Sequence, residues 1–490
     1  MEIKDKRVTV VGLGRSGVGA ANLLSELGAD VTVTDRKTEG ELKNFIGRLN
    51  APVTLALGNH PEDVFISADM VIISPGVSLD ILPISKAKEK GIPVIGELEL
   101  AYQIVGNQKS DVSINPPFPP LIKEGKGEFL AVTGTNGKST TTSLLDFMLR
   151  KSGFKTILGG NIGMALTEEI YKIVTKLNSS LVTRHLSLDF IVTEVSSFQL
   201  ESIMNFRPRG AVILNITPDH LDRYHSLKEY QDAKARVFKN QGDEDFLLIN
   251  ADDPGLVNVM SEKLKVKSER PKILYFSRKK EVNGVYFRDG KIYCNFQDSS
   301  LITRHSLLLN VEEIKIRGVH NLENAMAASA MALLAGSSLE AVRESLREFP
   351  GLEHRLEFVR EIDGVRYFND SKGTNVGAVI KSLESFQDSI ILIAGGRDKA
   401  GDFSTLSDLV KERVKALVLI GEASDKIKRS LGNLTETVMA KDLQDAVTIS
   451  RDIASRRDVV LLSPACASFD MFVDFEDRGR QFKKIVMGLK

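Results

Sequence analysis

Residues 128–142, EFLAVTGTNGKSTTT, hold the side chains best suited to phosphate chemistry. Gly134 and Gly137 let backbone N–H groups converge on an anion, and a helix beginning at Lys138 adds partial positive charge. Thr135, Asn136 and Thr140 complete the loop. Lys138 is placed to reach terminal phosphates of a nucleotide, and the Ser139 hydroxyl to ligate Mg²⁺. The common GxxxxGK[ST] pattern would put glycine at 132, where this chain has Val132. A glycine-rich turn with an exposed lysine is the bland alternative.

A second anion device lies near the start. Gly12-Leu13-Gly14-Arg15-Ser16-Gly17 follows the β-rich run Arg7 to Val11, and Asp35 ends the next one. That is a GxGxxG fingerprint with an acid about 20 residues on, which fits any pyrophosphate and most often a dinucleotide. A short domain and a second phosphate loop weigh against an NAD-dependent oxidoreductase.

These loops need elements to hold them. Phe129 to Thr133 reads as a strand, followed by a helix with Gly153 as its C-cap. Further strands are expected at Val31–Asp35, Met70–Ser74, Asp189–Val195, Ala211–Ile216, Ile390–Ala394, Ala416–Ile420 and Val459–Leu462. Helical stretches between them argue for parallel sheets. The fold class is therefore α/β, with Rossmann-like N- and C-terminal domains around a P-loop-type ATPase domain. The expected divisions are 1–101, 102–350 and 351–490. Residues 463–472 are expected to close the last sheet. Residues 107–127 are rich in proline and glycine and read as a linker loop. The near-repeat SSLVTRH/SSLITRH, at 179–185 and 299–305, reads as two surface insertions.

The 65 basic and 65 acidic residues cancel, so no global field favours nucleic acid or an anionic membrane. Two distant cysteines argue against a disulfide framework and for a reducing cytoplasm. No signal peptide and no membrane-spanning run are expected. Cys466, among small apolar neighbours, is not expected to be a nucleophile.

Several polar residues fall at strand ends, where open α/β sheets gather ligands. Glu194 is one, and Thr217-Pro218-Asp219-His220 comes after another. Lys234 lies in YQDAKARVF, which by pattern alone reads as an amphipathic helix. Taken in series, GTNGKST, GGNIG, EVSSFQLE, NITPDHLDRY, YQDAKARVF and HNLENAMAA resemble the Mur ligase family. The resemblance covers nearly the whole chain.

The resemblance implies a site for each of three substrates. By it, the first domain binds a UDP-sugar through Gly12, Leu13, Gly14, Arg15, Ser16, Asp35, Arg36, Ser74, Pro75 and Gly76, with Asn161 touching it from the centre. It likewise places ATP on Gly134 to Thr140, with Asn324 near adenine. Ser139, Glu194 and His220 are the implied Mg²⁺ ligands, with two ions expected, and Lys234 is a ligand as its carbamate. Carbamylation needs a neutral amine, expected from burial beside Mg²⁺ and Arg236. Pro350-Gly351-Leu352-Glu353-His354-Arg355 resembles the family's hinge, with Arg355 on the γ-phosphate and Asp370 on the nucleotide side. SPACAS followed by F-D-x-F and F-x-x-RG most resembles members adding D-glutamate to UDP-N-acetylmuramoyl-L-alanine. By that match Lys372, Thr374, Lys399, Ser468 and Phe475 surround D-glutamate. An acyl phosphate is the implied intermediate, and Lys138, Lys234, His220 and Arg355 the catalytic groups. Closure at hinges near 101–128 and 350, a monomeric state and a cytoplasmic location are expected. The alternatives are another amide ligase of the family, a folylpolyglutamate synthetase-like ligase, a dinucleotide-binding oxidoreductase or a regulatory P-loop ATPase.

Overall fold

Three sheets follow one another along the chain in the computed structural model, which describes residues 3–50, 52–106, 127–179, 188–220, 223–297 and 305–489. The linker reading of 107–127, but for Gly127, lies outside the described residues, as do most of both near-repeat copies, including His185.

The first sheet contains β1 (Arg7–Val11), β2 (Asp30–Asp35), β3 (Thr54–Leu57), β4 (Met70–Ile73) and β5 (Val94–Gly96), in the order β3-β2-β1-β4-β5. All its pairings are parallel. β1 stops at Gly12, whose φ of +92° breaks the strand. A Cβ there would lie 2.9 Å from Val77.

The central sheet contains β6 (Glu128–Thr133), β7 (Thr156–Gly160), β8 (Phe190–Glu194), β9 (Gly210–Ile213), β10 (Phe246–Asn250), β11 (Lys272–Ser277), β12 (Gly284–Arg288), β13 (Lys291–Asn295) and β14 (Ser306–Asn310). Its order is β14-β13-β12-β11-β10-β9-β6-β8-β7. It is parallel from β7 to β12, and the pairings β12–β13 and β13–β14 are antiparallel. The buried runs LAV in β6, FIV in β8 and AVI in β9 are apolar on both faces, as a helix-covered parallel strand requires.

The third sheet contains β15 (Glu357–Ile362), β16 (Val365–Asn369), β17 (Ile390–Gly395), β18 (Val414–Ile420), β19 (Glu436–Met439) and β20 (Val459–Leu462), ordered β15-β16-β20-β17-β18-β19. Only β15 is antiparallel. Residues 463–472 do not extend this sheet. They form a loop tied to β17 by backbone bonds from Ser463 to Ile393 and from Gly395 to Pro464, and by an isolated bridge between Arg397 and Ala467.

One apolar cluster runs from Val8 and Val10 in the first sheet to Ile249 and Leu264 in the centre. Gly19 allows the helix Arg15–Glu26 to touch the helix Leu166–Ser179, since a Cβ there would lie 2.8 Å from the Thr167 hydroxyl. The Glu99 carboxylate, fully buried, accepts from the N–H groups of Met204, Asn205 and Phe206 across the same junction. The third sheet keeps its own two clusters. The described residues are thus two packed bodies meeting near residues 350–356. None of the described helices is long and apolar enough to cross a membrane.

Candidate active site

The phosphate loop sits at the C-terminal end of β6, between the ends of β8 and β9. Gly134 has φ +151° and Gly137 φ +84°. A Cβ on Gly137 would fall 2.3 Å from the Asn324 amide oxygen, so glycine is required there. Asn324 lies behind the loop, accepting from the Thr141 hydroxyl and donating to Asn321. The Asn136 N–H donates to the Asn215 side chain at 2.8 Å, fixing the loop to the end of β9.

Cations from two bodies converge on the phosphate loop, and Ser139 takes those of the third domain. Its Oγ accepts from Arg355 Nη2 at 3.1 Å and from Lys372 Nζ at 3.0 Å, both from the third domain. Lys138 Nζ donates to the carbonyls of Gly134 and Thr135, at 2.8 and 2.7 Å. Lys234 Nζ donates to the same Gly134 carbonyl at 2.8 Å and lies 4.6 Å over the Tyr230 ring. Burial lowers the pKa of all four groups, and that of Lys372 falls to about 8. Lys234 is held well below the ordinary lysine range, first by burial and then by Lys138. Arg236, expected to contribute, instead donates to the Leu200 and Ile203 carbonyls. Arg355 Nε is buried without a partner. So many desolvated cations call for an anion between them.

Asp370 is buried beneath this cluster. It accepts from Ser382 and Ser463, each at 2.7 Å, and from the Leu356 N–H. Burial still raises its pKa to about 6. Its contacts brace the hinge loop carrying Arg355.

Glu194 bears on a fit for Mg²⁺. One carboxylate oxygen accepts from Asn161 at 2.9 Å, and the other is buried with no partner. An unsatisfied carboxylate oxygen beside a phosphate loop fits a hard cation. Among the described residues no three His, Cys, Asp or Glu side chains cluster as a metal cage. His220 adopts φ +55°, and burial lowers its pKa, favouring the neutral ring a metal ligand needs.

A cavity of about 660 Å³ opens between the first sheet and the centre. Gly12, Gly14, Arg15, Ser16, Asp35, Arg36, Ser74, Pro75, Gly76 and Asn161 all line it. Leu13 does not: its side chain is 1% exposed in the core, and its N–H donates to Asp35 at 2.7 Å. Lys37 and His60 also line it.

On the third domain, Lys372 Nζ lies 4.9 Å over the Phe475 ring. Thr374 is two residues further on the same loop, and Ser468 is buried nearby in the 463–472 loop. Lys399 adds positive potential at both Lys138 and His220. Burial pushes the Cys466 thiol up to about 12, which removes it as a nucleophile.

Residues 6–96 match the Mur ligase MurD-like N-terminal domain, 132–332 the Mur ligase middle domain, and 354–466 the Mur ligase glutamate ligase domain. A UDP-N-acetylmuramoylalanine--D-glutamate ligase of Geotalea daltonii is 44% identical over 491 residues, covering 100% of this chain and 99% of that protein. The chain belongs to the Mur ligase family. A ligase of the same name from Clostridioides difficile is 41% identical over 495 residues, covering all of both chains. The UDP-N-acetylmuramate-alanine ligase MurC of Thermotoga maritima shares the fold at a TM-score of 0.59, with 20% identity, over 99% of this chain and 100% of that one.

Three residues of this Mur ligase were missed in the sequence. Arg478 is fully buried and donates to Ser371 Oγ and to the carbonyls of Ser371, Cys466 and Ala467. It fastens the Lys372 loop to the Ser468 loop. Tyr230, one helical turn before Lys234, pairs with the Thr135 hydroxyl at 3.3 Å. That i,i+4 spacing was a usable signal. Asn375 bonds across the domain junction, to Asn136 and Asp219.

Proposed function

We propose that this Mur ligase joins D-glutamate to the alanyl carboxyl of UDP-N-acetylmuramoyl-L-alanine, with ATP, in cytoplasmic peptidoglycan precursor synthesis. The observation that carries the reading is the approach of Arg355 and Lys372 to Ser139 from the opposite domain. It joins a phosphate loop to the residues expected around an acidic amino acid. Full-length similarity to D-glutamate ligases supports the same substrates.

A carboxylate is a poor electrophile, so the γ-phosphoryl of ATP is first transferred to a carboxylate oxygen of the alanyl group. ADP leaves and an acyl phosphate forms. The neutral amine of D-glutamate attacks the acyl carbon, phosphate departs, and the new amide nitrogen loses a proton. The chain's share is positioning and charge neutralisation. Lys138 and Arg355 face the phosphoryl oxygens, and the free Arg355 Nε gives one more donor. Lys372, Lys399, Thr374, Ser468 and the start of the helix Phe475–Met487 face the amino acid. The first-domain cavity takes the uridine diphosphate. Ser139, Glu194, His220 and a carbamylated Lys234 would hold Mg²⁺, which supplies further charge neutralisation when bound.

Phosphate release from ATP with UDP-N-acetylmuramoyl-L-alanine tests the reading. D-Glutamate is expected to support turnover at least about tenfold faster than L-alanine or a diamino acid at equal concentration, a difference of about 1.4 kcal/mol. Faster turnover with either competitor overturns the substrate assignment.

A further inference from the structure

We infer that Asn375 is a positioning residue that latches the third domain onto the phosphate loop and so sets the distance between the acyl phosphate and the incoming amine. The inference rests on the ligase reading above.

Asn375 is the N-cap of the helix Val376–Leu383, and its Oδ1 accepts from the Ala378 N–H at 2.8 Å. That leaves the Nδ2 amino group free to point outward. It crosses the junction to two acceptors of the central domain: Asp219 Oδ2 at 3.3 Å and Asn136 Oδ1 at 3.5 Å. Asn136 is the middle of the phosphate loop, and its backbone N–H is fixed to Asn215. The other Asp219 oxygen accepts from the His220 N–H at 3.0 Å. One amide group therefore touches the nucleotide loop and the residue before a proposed metal ligand. On its own side it adjoins Thr374 and is three residues from Lys372. Gly377 lies against the same seam, where a Cβ would stand 3.5 Å from the Asn136 amide and 3.6 Å from the Thr217 hydroxyl.

Of the other described bonds across this seam, those from Arg355 and Lys372 to Ser139 use groups that phosphate or substrate will claim, and the Ser385 hydroxyl pairs with His320 at 3.3 Å at the start of the helix Val319–Leu334, away from the phosphate loop. The Asn375 bridge uses neither Ser139 nor those two cations, and one of its two acceptors, Asp219, lies outside the phosphate loop, so that bond can persist while both substrates are bound. Its distances are long for N–H···O bonds, so each is weak and both depend on the domains being seated. Positioning errors near 1 Å can lower turnover about a hundredfold, so even a weak latch here has kinetic weight.

Asn375→Asp gives a sharp test. Aspartate caps a helix as well as asparagine does, so the fold is retained. The donor is lost, and a carboxylate now faces Asp219. The kcat/KM for D-glutamate is expected to fall at least about tenfold, with KM for UDP-N-acetylmuramoyl-L-alanine changed less than about twofold, since that substrate lies on the other body. The double variant Asn375→Asp/Asp219→Asn restores a donor–acceptor pair in reverse and is expected to recover most of the loss. Small-angle scattering with UDP-N-acetylmuramoyl-L-alanine and a non-hydrolysable ATP analogue should show a larger radius of gyration for the single variant than for wild type or the double. If Asn375→Asp melts early, Asn375→Ser keeps the cap without the reach and is measured instead. Wild-type kinetics in the single variant, or no recovery in the double, overturns the latch. Wild type without ligase activity would overturn the proposed function, while scattering would still report on the latch.

Discussion

Lys234→Ala is expected to lower kcat by on the order of 100-fold or more, comparable to loss of a charge-stabilising group in an active site. A free lysine of ordinary pKa, about 10.4, is a cation and cannot ligate Mg²⁺. Here burial and Lys138 hold Lys234 well below that range, which favours the neutral amine that reacts with CO₂. The carbamate carries two oxygens and a negative charge, a ligand of the kind Mg²⁺ takes. Conversion also removes the competition of two amines for the Gly134 carbonyl. Acetate should restore part of the Lys234→Ala activity by filling the vacated position. Lys234→Arg should not be rescued, because a fixed cation remains. Near-normal kcat for Lys234→Ala in CO₂-free buffer would show that the lysine acts only as a buried donor to Gly134.

Lys138→Ala is expected to cut amide formation by about 10²–10³-fold, yet leave UDP-substrate affinity nearly unchanged. The lysine donates to its own loop at Gly134 and Thr135, whereas the cavity walls around Arg15, Asp35 and Ser74 belong to another sheet. Calorimetry with the UDP-substrate reads the second half of this expectation. A large loss of affinity would move the uridine site out of the first domain.

The sequence was legible wherever backbone geometry dictates a residue type. Gly12, Gly134 and Gly137 all take positive φ, and the loops they mark are where strand-to-helix turns were expected. β20 was found at its observed bounds because its apolar run VVLL, buried throughout, is unbroken, and β1 because its β-branched run VTVV ends at Gly12. The antiparallel edges were missed, although both hairpins carry an Asp-Gly turn, Asp289-Gly290 and Asp363-Gly364, with positive φ at each residue. Arg478 was illegible because three of its four acceptors are carbonyls, which leave no mark in residue type. Arg236 misled because neighbours in sequence point to different sides of a turn: Lys234 faces Gly134, and Arg236 faces Leu200. Asn375 leaves no mark beyond that of a helix cap, which uses only its oxygen.

Because one apolar cluster runs from Val8 to Leu264, the first and central sheets cannot unfold separately without exposing it to water. Their backbone amides should exchange with solvent as one cooperative block. The third sheet, closed around clusters of its own, forms a second block that can open while the first stays intact. Heating would then melt the protein in two steps, and substrates bridging the seam would draw the steps together.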